Sequence, residues 1–165
     1  MSKLCKNQSS TDSPYKKLSW VTKSFNELNT TELFEILKLR QAVFVVEQEC
    51  PYPDVDDTDL VSMHLSGYND DKELLAYARL IKQNVSYREA SIGRVVVSPD
   101  ARGNKLGEQL MLQALAEMER LFPDQPIKIG AQQQLETFYN KLGFKTISDM
   151  YMEDGIAHIH MLRDA

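Results

Sequence analysis

With two cysteines, one tryptophan and three histidines among 165 residues, the sequence is poor in the side chains on which several protein classes depend. Cys5 and Cys50 lie far apart and neither belongs to a Cys-x-x-Cys pair, so no disulfide framework or cysteine metal knuckle is suggested and two unpaired thiols are expected. His64, His158 and His160 lack metal-ligand spacing, and no metal site is expected. The chain has no apolar run near the roughly 18 residues that span a bilayer, and its N-terminal stretch is polar where a secretory signal would be apolar. A cytoplasmic protein without a membrane partner is the expectation. Basic residues are outnumbered 19 to 24, for a net charge of −5, which removes the broad positive field used in non-specific nucleic-acid binding. Nucleic acid is therefore not an expected partner. GxxxxGK[ST] and GxGxxG are missing as well, which argues against a P-loop and a dinucleotide-binding turn.

Apolar residues make up 42% of the chain and charged residues 26%, ordinary usage for one globular domain with one core. Residues 1–17 are expected to be a flexible leader and residues 18–165 a single domain. "LSWVTKSF" has the composition of a strand, and Asn29 with Glu32 has capping-box spacing ahead of a helix on which Leu33, Ile36, Leu37, Arg40, Val43 and Phe44 share a stripe. "ECPYPDVDDTDL" lacks periodicity and predicts a loop. "SMHLSGY" and "LLAYARLIKQ" predict a hairpin, and the nearly continuous apolar "ASIGRVVVS" suits a strand covered on both faces in the middle of a sheet. A second amphipathic helix from Gly103 to Phe122, the strand "PIKIGA", a short helix ending at Gly143, and the strands "KTISDMYM" and "IAHIHML" around Asp154-Gly155 complete the chain. The order β-α-β-β-β-α-β-α-β-β specifies an α/β fold with mixed strand directions.

"RVVVSPDARGNKLGEQL" joins the middle strand to the second helix. The first amides of a helix are unpaired donors at the positive end of its dipole. Gly103 and Gly107 clear the approach to that backbone, and Arg102 and Lys105 add formal charge. Together they describe a cradle for a phosphate or pyrophosphate; a plain strand-to-helix turn with solvated basic residues is the alternative.

The same segment resembles motif A of the GCN5-related N-acetyltransferases (GNATs), an Arg/Gln-x-x-Gly-x-Gly/Ala loop, with Arg102 and Gly107 matching its ends and Lys105 standing at its middle glycine. "LETFYNKLGF" resembles the family's motif B helix, and "LRQAVFVVEQECPY", "GRVVVS" and "MEDGIAHIHM" are similar to its ElaA-type members. The resemblance covers about residues 18 to 165. It implies a GNAT fold, with a mixed, mostly antiparallel central sheet flanked by helices and with strands 4 and 5 splayed apart. It also implies acetyl-CoA as co-substrate, with the backbone at Val95 and Val97 pairing with the pantetheine arm and Arg102, Gly103, Asn104, Lys105 and Gly107 holding the pyrophosphate.

Acetyl transfer to an amine needs a neutral nucleophile, and an amine of pKa about 10.4 is neutral in only about one molecule in 2,500 at pH 7. It also needs a polarised carbonyl, for which the Val95 amide is a candidate, and a proton for the departing thiolate. Tyr139 matches the motif B tyrosine and is the candidate acid; packing of Tyr139 and Phe138 against the sheet is the structural alternative. His64 and Glu47 are the foremost candidate bases, with a water relay equally compatible. Glu153 and His158 are further candidates. Glu47 could instead be a solvated helix end, His64 a hydrogen-bonded strand residue, and His158 with His160 the outer face of a strand. Arg40 on an apolar stripe is expected to meet a carboxylate. Asp54, Asp56, Asp57 and Asp59 suggest either a solvated loop or an acidic rim that attracts a cation. The resulting expectation is an N-acetyltransferase acting on a primary amine of a small molecule or peptide by direct transfer in a ternary complex, as a monomer or a homodimer. A non-catalytic acyl-CoA-binding module is the alternative, with an acyl-homoserine-lactone-synthase-like acyltransferase ranked below it.

Overall fold

The computed structural model describes residues 18–165; the expected leader, Cys5 included, lies outside them. Strand β1 (Ser19–Ser24) leads to helix α1 (Thr30–Arg40), whose start carries the expected capping box. The Glu32 amide donates to Asn29 Oδ1 at 2.9 Å, and the Asn29 amide donates to Glu32 Oε2 at 3.0 Å. The helix then widens into a π-helical stretch, Gln41–Glu47, with the Gln48 amide reaching the Val43 carbonyl five residues back at 3.1 Å. Such widening re-aims the side chains of a helix end, here toward the cleft described below.

The predicted loop after it contains one short helix, α2 (Thr58–Val61). Strands β2 (Met63–Tyr68), β3 (Leu74–Ile81) and β4 (Ser91–Val97) follow, then α3 (Leu106–Leu121), β5 (Ile127–Gln132), α4 (Glu136–Asn140), β6 (Lys145–Thr146), β7 (Tyr151–Glu153) and β8 (Ile156–Arg163). "KTISDMYM" is thus two short strands. Between them Ser148 Oγ accepts from the His160 amide at 2.9 Å, so a side chain takes the place of a ladder partner. Asp154 and Gly155 turn the final hairpin with φ of 51° and 80°, the left-handed pair that a two-residue hairpin turn needs.

Strands β1-β2-β3-β4 form one antiparallel sheet, and β5-β8-β6, with β7 also on β8, form a second antiparallel group. The two meet where β4 runs parallel to β5. The Ala90 amide donates to the Pro126 carbonyl at 3.2 Å, and the Lys128 amide to the Ala90 carbonyl at 2.9 Å. Past this bridge between Ala90 and Ile127 the strands diverge and a cleft opens. Strand β3, not β4, is therefore the strand buried on both faces. Arg94, Val95 and Val97 of β4 are only half-buried because they border the gap.

Period-2 alternation sends the two faces to different partners. On one face Ala76, Ala78, Leu80, Ile129, Ala131, Ile159 and Met161 pack under α3, which contributes Leu106, Leu110, Met111, Ala114 and Met118. On the other, Tyr77 and Val96 pack under Ile36, Leu39 and Val43 of the first helix. No helix among the described residues is long and apolar enough to cross a membrane.

Candidate active site

The divergence of β4 and β5 produces a cleft of about 930 Å³ whose lining comes from both faces of the sheet. From the α3 side come Val95, Val97, Arg102, Gly103, Lys105 and Gly107, with Phe138 and Tyr139 of α4. From the α1 side come Glu47, Gln48, Tyr52, Tyr87, Glu153 and His158. The cleft thus brings the cationic, glycine-spaced joint together with aromatic and carboxylate side chains in one cavity.

Strand β4 is bulged within it. Tyr77 pairs with Val96 and Arg79 with Gly93, so Arg94 and Val95 together oppose Ala78, with Arg94 at φ 51°. Bulges of this kind re-aim side chains beside functional sites. The Ser98 amide donates to the Leu75 carbonyl at 2.8 Å. Strand alternation then turns the amide and carbonyl of Val97 toward the gap, where no strand follows.

The joint between β4 and α3 has the form of the expected cradle. Gly103 has φ 82°, and a Cβ there or at Gly107 would meet nothing within 4 Å, so the backbone is open to a ligand. Lys105, at the residue before α3, has φ 57° and ψ 21°, a left-handed conformation that disfavours side chains other than glycine. The family pattern's glycine therefore has a backbone reason, and Lys105 adopts that backbone while adding a charge. Asn104 ties the loop together, its Nδ2 donating to the carbonyls of Ala101 at 3.0 Å and Arg102 at 3.2 Å. These features fit the pyrophosphate and pantetheine of coenzyme A: free helix amides, two cations, and an extended strand edge leading inward.

The sequence candidates for the chemistry separate in space. Tyr139 is 7% exposed, packs edge-on against Phe138 and Phe144, and lines the cleft; burial pushes its hydroxyl up to about 12. It remains protonated at neutral pH. Glu47 reaches the cleft at the end of the π-helical stretch, and its carboxylate accepts from Arg102 Nη1 at 2.8 Å. A candidate base and a candidate pyrophosphate ligand are thus paired with one another.

His64 is not at the cleft. It is 1% exposed in β2, its Nε2 donates to the Asp59 carbonyl at 3.0 Å, and its Nδ1 accepts from the Tyr77 hydroxyl at 2.7 Å. Burial holds its pKa below 6.5. With both nitrogens engaged and no path to the cavity, His64 is a structural residue and its expected role as base is corrected.

The aspartate loop also differs from both expectations. Arg40, fully buried, donates from Nε to Asp54 Oδ2 at 2.8 Å and from Nη1 to Asp59 Oδ1 at 2.7 Å. Arg79 Nη1 donates to Asp56 Oδ1 at 2.7 Å and to Asp59 Oδ1 at 2.9 Å. Arg94, re-aimed by the bulge, donates from Nε to Asp54 Oδ1 at 2.7 Å. Three arginines balance three aspartates, so those carboxylates form neither a solvated loop nor an attractive rim. Burial pushes the Asp56 and Asp59 carboxyls up, but the arginine partners outweigh it and hold both below the usual range. The network pins the loop that carries Tyr52, whose hydroxyl donates to Asp54 Oδ1 at 3.0 Å. Tyr52 and Tyr87, missed in the sequence, sit in irregular segments that offered no periodic signal.

A model of the acetyltransferase (GNAT) domain matches residues 43–164. The chain is 44% identical over 149 residues to the protein ElaA of Escherichia coli (strain K12), covering 89% of this chain and 97% of that one. It is 46% identical over 145 residues to a UPF0039 protein of Schizosaccharomyces pombe (strain 972 / ATCC 24843), covering 87% and 95%. An acyl-CoA N-acyltransferase of Pseudomonas aeruginosa superposes with a TM-score of 0.83 at 45% identity, covering 88% of this chain and 99% of that one. The splayed strands, the glycine-spaced joint and matches that run almost end to end agree, and the chain belongs to the GNAT acetyltransferase family, among its ElaA-like members.

Proposed function

We propose that the protein is an acetyl-CoA-dependent N-acetyltransferase that moves an acetyl group to a primary amine of a small molecule or peptide by direct transfer in a ternary complex. The observation that carries this reading is the cavity between β4 and β5, in which the cationic, backbone-rich joint of β4 and α3 shares one space with aromatic and carboxylate side chains. Its volume of about 930 Å³ has room for two substrates to meet between β4 and β5, so no covalent enzyme intermediate is needed.

In this reading Arg102 and Lys105, with the backbone at Gly103, Asn104 and Gly107, hold the pyrophosphate, and the cleft-facing backbone of Val95 and Val97 pairs with the pantetheine arm. Acetyl-CoA supplies the activated acyl group when bound. The Val95 amide, at the bulge, polarises the acyl carbonyl. Tyr139, protonated because it is buried, gives its proton to the departing sulfur. The cysteine-poor composition supports a cytoplasmic setting.

Titration with acetyl-CoA followed by a free-thiol release assay over a panel of primary amines tests the reading. Binding with amine-dependent thiol release is the expected result. Binding without release on any amine would favour a non-catalytic acyl-CoA module, and no binding would overturn the reading.

A further inference from the structure

We infer that His158 is the general base, taking a proton from the acceptor amine at Nε2. The inference rests on the acetyl-transfer reading above and assigns the proton acceptor which that reading leaves unfilled. Of the chain's three histidines, His64 is sealed in the core and His160 is packed between Tyr87 and Tyr151, with centroids at 5.7 and 4.8 Å. His158 alone lines the cleft. It projects from β8 on the face opposite Ile159 and Met161, beside Gln132 of β5, and its side chain keeps 13% exposure.

The ring is held in one useful state. Nδ1 lies 2.9 Å from the Ile156 carbonyl, an acceptor only, so in the neutral ring the proton sits on Nδ1 and Nε2 keeps its lone pair. Tyr151 stacks on the ring at 5.9 Å and 28°. Glu153 Oε2 stands 3.8 Å from Nε2, near enough to attract an incoming ammonium. The other charged and titratable groups on this side are Tyr151 and His160 beside the ring, Cys50 and Tyr52 in the cleft lining, Asp154 in the β7–β8 turn, Tyr87, and Lys128 of β5 beyond it, whose ammonium lies 4.6 Å from the Tyr87 ring. Glu47 and Arg102 border the same cavity but are paired with each other, which leaves Glu47 less free to accept a proton.

The protons balance as follows. The ammonium brings three: His158 takes one and passes it to water. The neutral nitrogen forms its bond to the acetyl carbon as the carbon–sulfur bond breaks, one proton stays on the amide, and the last replaces the one that Tyr139 gives the sulfur.

The test has two arms. In the first, 15N–1H correlation spectra of the full-length protein, with each histidine assigned by its Gln variant, read the tautomers. His158 is expected as the Nδ1–H form with a bare Nε2; a neutral ring carrying its proton on Nε2 overturns the assignment. In the second, kcat and KM for acetyl-CoA are measured with ethanolamine, lysine methyl ester and tyramine. His158→Gln is expected to lose about 100-fold in kcat with little change in the KM for acetyl-CoA, and added imidazole should partly restore His158→Gly. A variant that keeps the wild-type rate defeats the role of His158 while leaving the acetyl-transfer reading intact. A wild type that binds no acetyl-CoA, or releases no thiol with these amines, defeats the reading itself and the inference with it.

Discussion

Glu47 Oε1 accepts a hydrogen bond from Arg102 Nη1 at 2.8 Å, tying the end of the π-helical stretch to the loop that opens α3. The pair is part-exposed, at 40% and 46%, and such pairs are worth about 0.2–1 kcal/mol. In the proposed cradle, bound acyl-CoA has to compete with Glu47 for the same guanidinium. Glu47→Gln is expected to tighten acetyl-CoA binding by about two- to five-fold, and Arg102→Gln to weaken it. If Glu47 acts only through Arg102, the double variant binds like Arg102→Gln alone. Calorimetric titration of the three variants checks this, and an unchanged affinity in Glu47→Gln would sink the competition.

Tyr139 and its ring neighbours Phe138 and Phe144 form one aromatic cluster under the sheet, so the hydroxyl can be removed without a cavity. Tyr139→Phe is expected to fold with an unchanged melting temperature and to bind acetyl-CoA normally. Its turnover should fall by about 100-fold or more, the usual contribution of a positioned acid. Turnover equal to that of the wild type would confine Tyr139 to packing.

The Arg40, Arg79 and Arg94 network ought to be much more sensitive than its solvated look in the sequence suggests. Asp59 accepts from both Arg40 and Arg79 and is 4% exposed. Asp59→Asn leaves two buried guanidinium groups short of one charge, a loss of about 3–5 kcal/mol in comparable sites. For a domain of this size that lowers the melting temperature by about 10 °C. Asp57→Asn, on an exposed residue of the same loop, should be neutral, and equal melting temperatures for the two variants would contradict the network's role.

His64 fixes the acid side of the stability curve. Burial lowers its folded-state pKa from 6.5, so the unfolded chain takes up a proton that the native state resists. The stabilisation is complete above about pH 6.5 and is lost as pH falls toward the folded pKa. His160, also lowered, adds in the same sense. Asp56 and Asp59 are lowered from 3.8, and their contributions fade only below that value. Urea unfolding between pH 7 and 5 should therefore show a falling stability whose slope is reduced in His64→Gln, even though that variant starts lower.

The fold was legible wherever periodicity or capping chemistry acts locally. Asn29 and Glu32, Gly143 at φ 90°, and Asp154-Gly155 each mark an element end by their own conformational demands. The proposed donor half of the site was readable as a motif for the same reason, since Arg102 through Gly107 is one contiguous joint. The other half was not. Alternation places His64 and His158 equally well on strands, and only the tertiary packing decides that α2 and Tyr77 seal one while the splay of β5 from β4 exposes the other. The pairing of Asp54 with Arg40 and Arg94 likewise joins residues distant in sequence, and a run of aspartates carries no local sign of its partners.

Lys105 combines a backbone cost with an electrostatic gain, and the two can be separated. Its φ of 57° costs a non-glycine residue about 1 kcal/mol, so Lys105→Gly relieves strain while giving back part of it as unfolded-chain entropy. Its melting temperature is expected to be equal to or slightly above that of the wild type. In the proposed cradle, loss of the ammonium removes a charge from the pyrophosphate side of the cleft, so acetyl-CoA affinity should fall several-fold at low salt and depend less steeply on ionic strength. Lys105→Arg keeps the charge and the strain and should bind like the wild type. Should Lys105→Gly bind acetyl-CoA as tightly as the wild type with the same salt dependence, the side chain points away from the ligand and only its backbone serves the cradle.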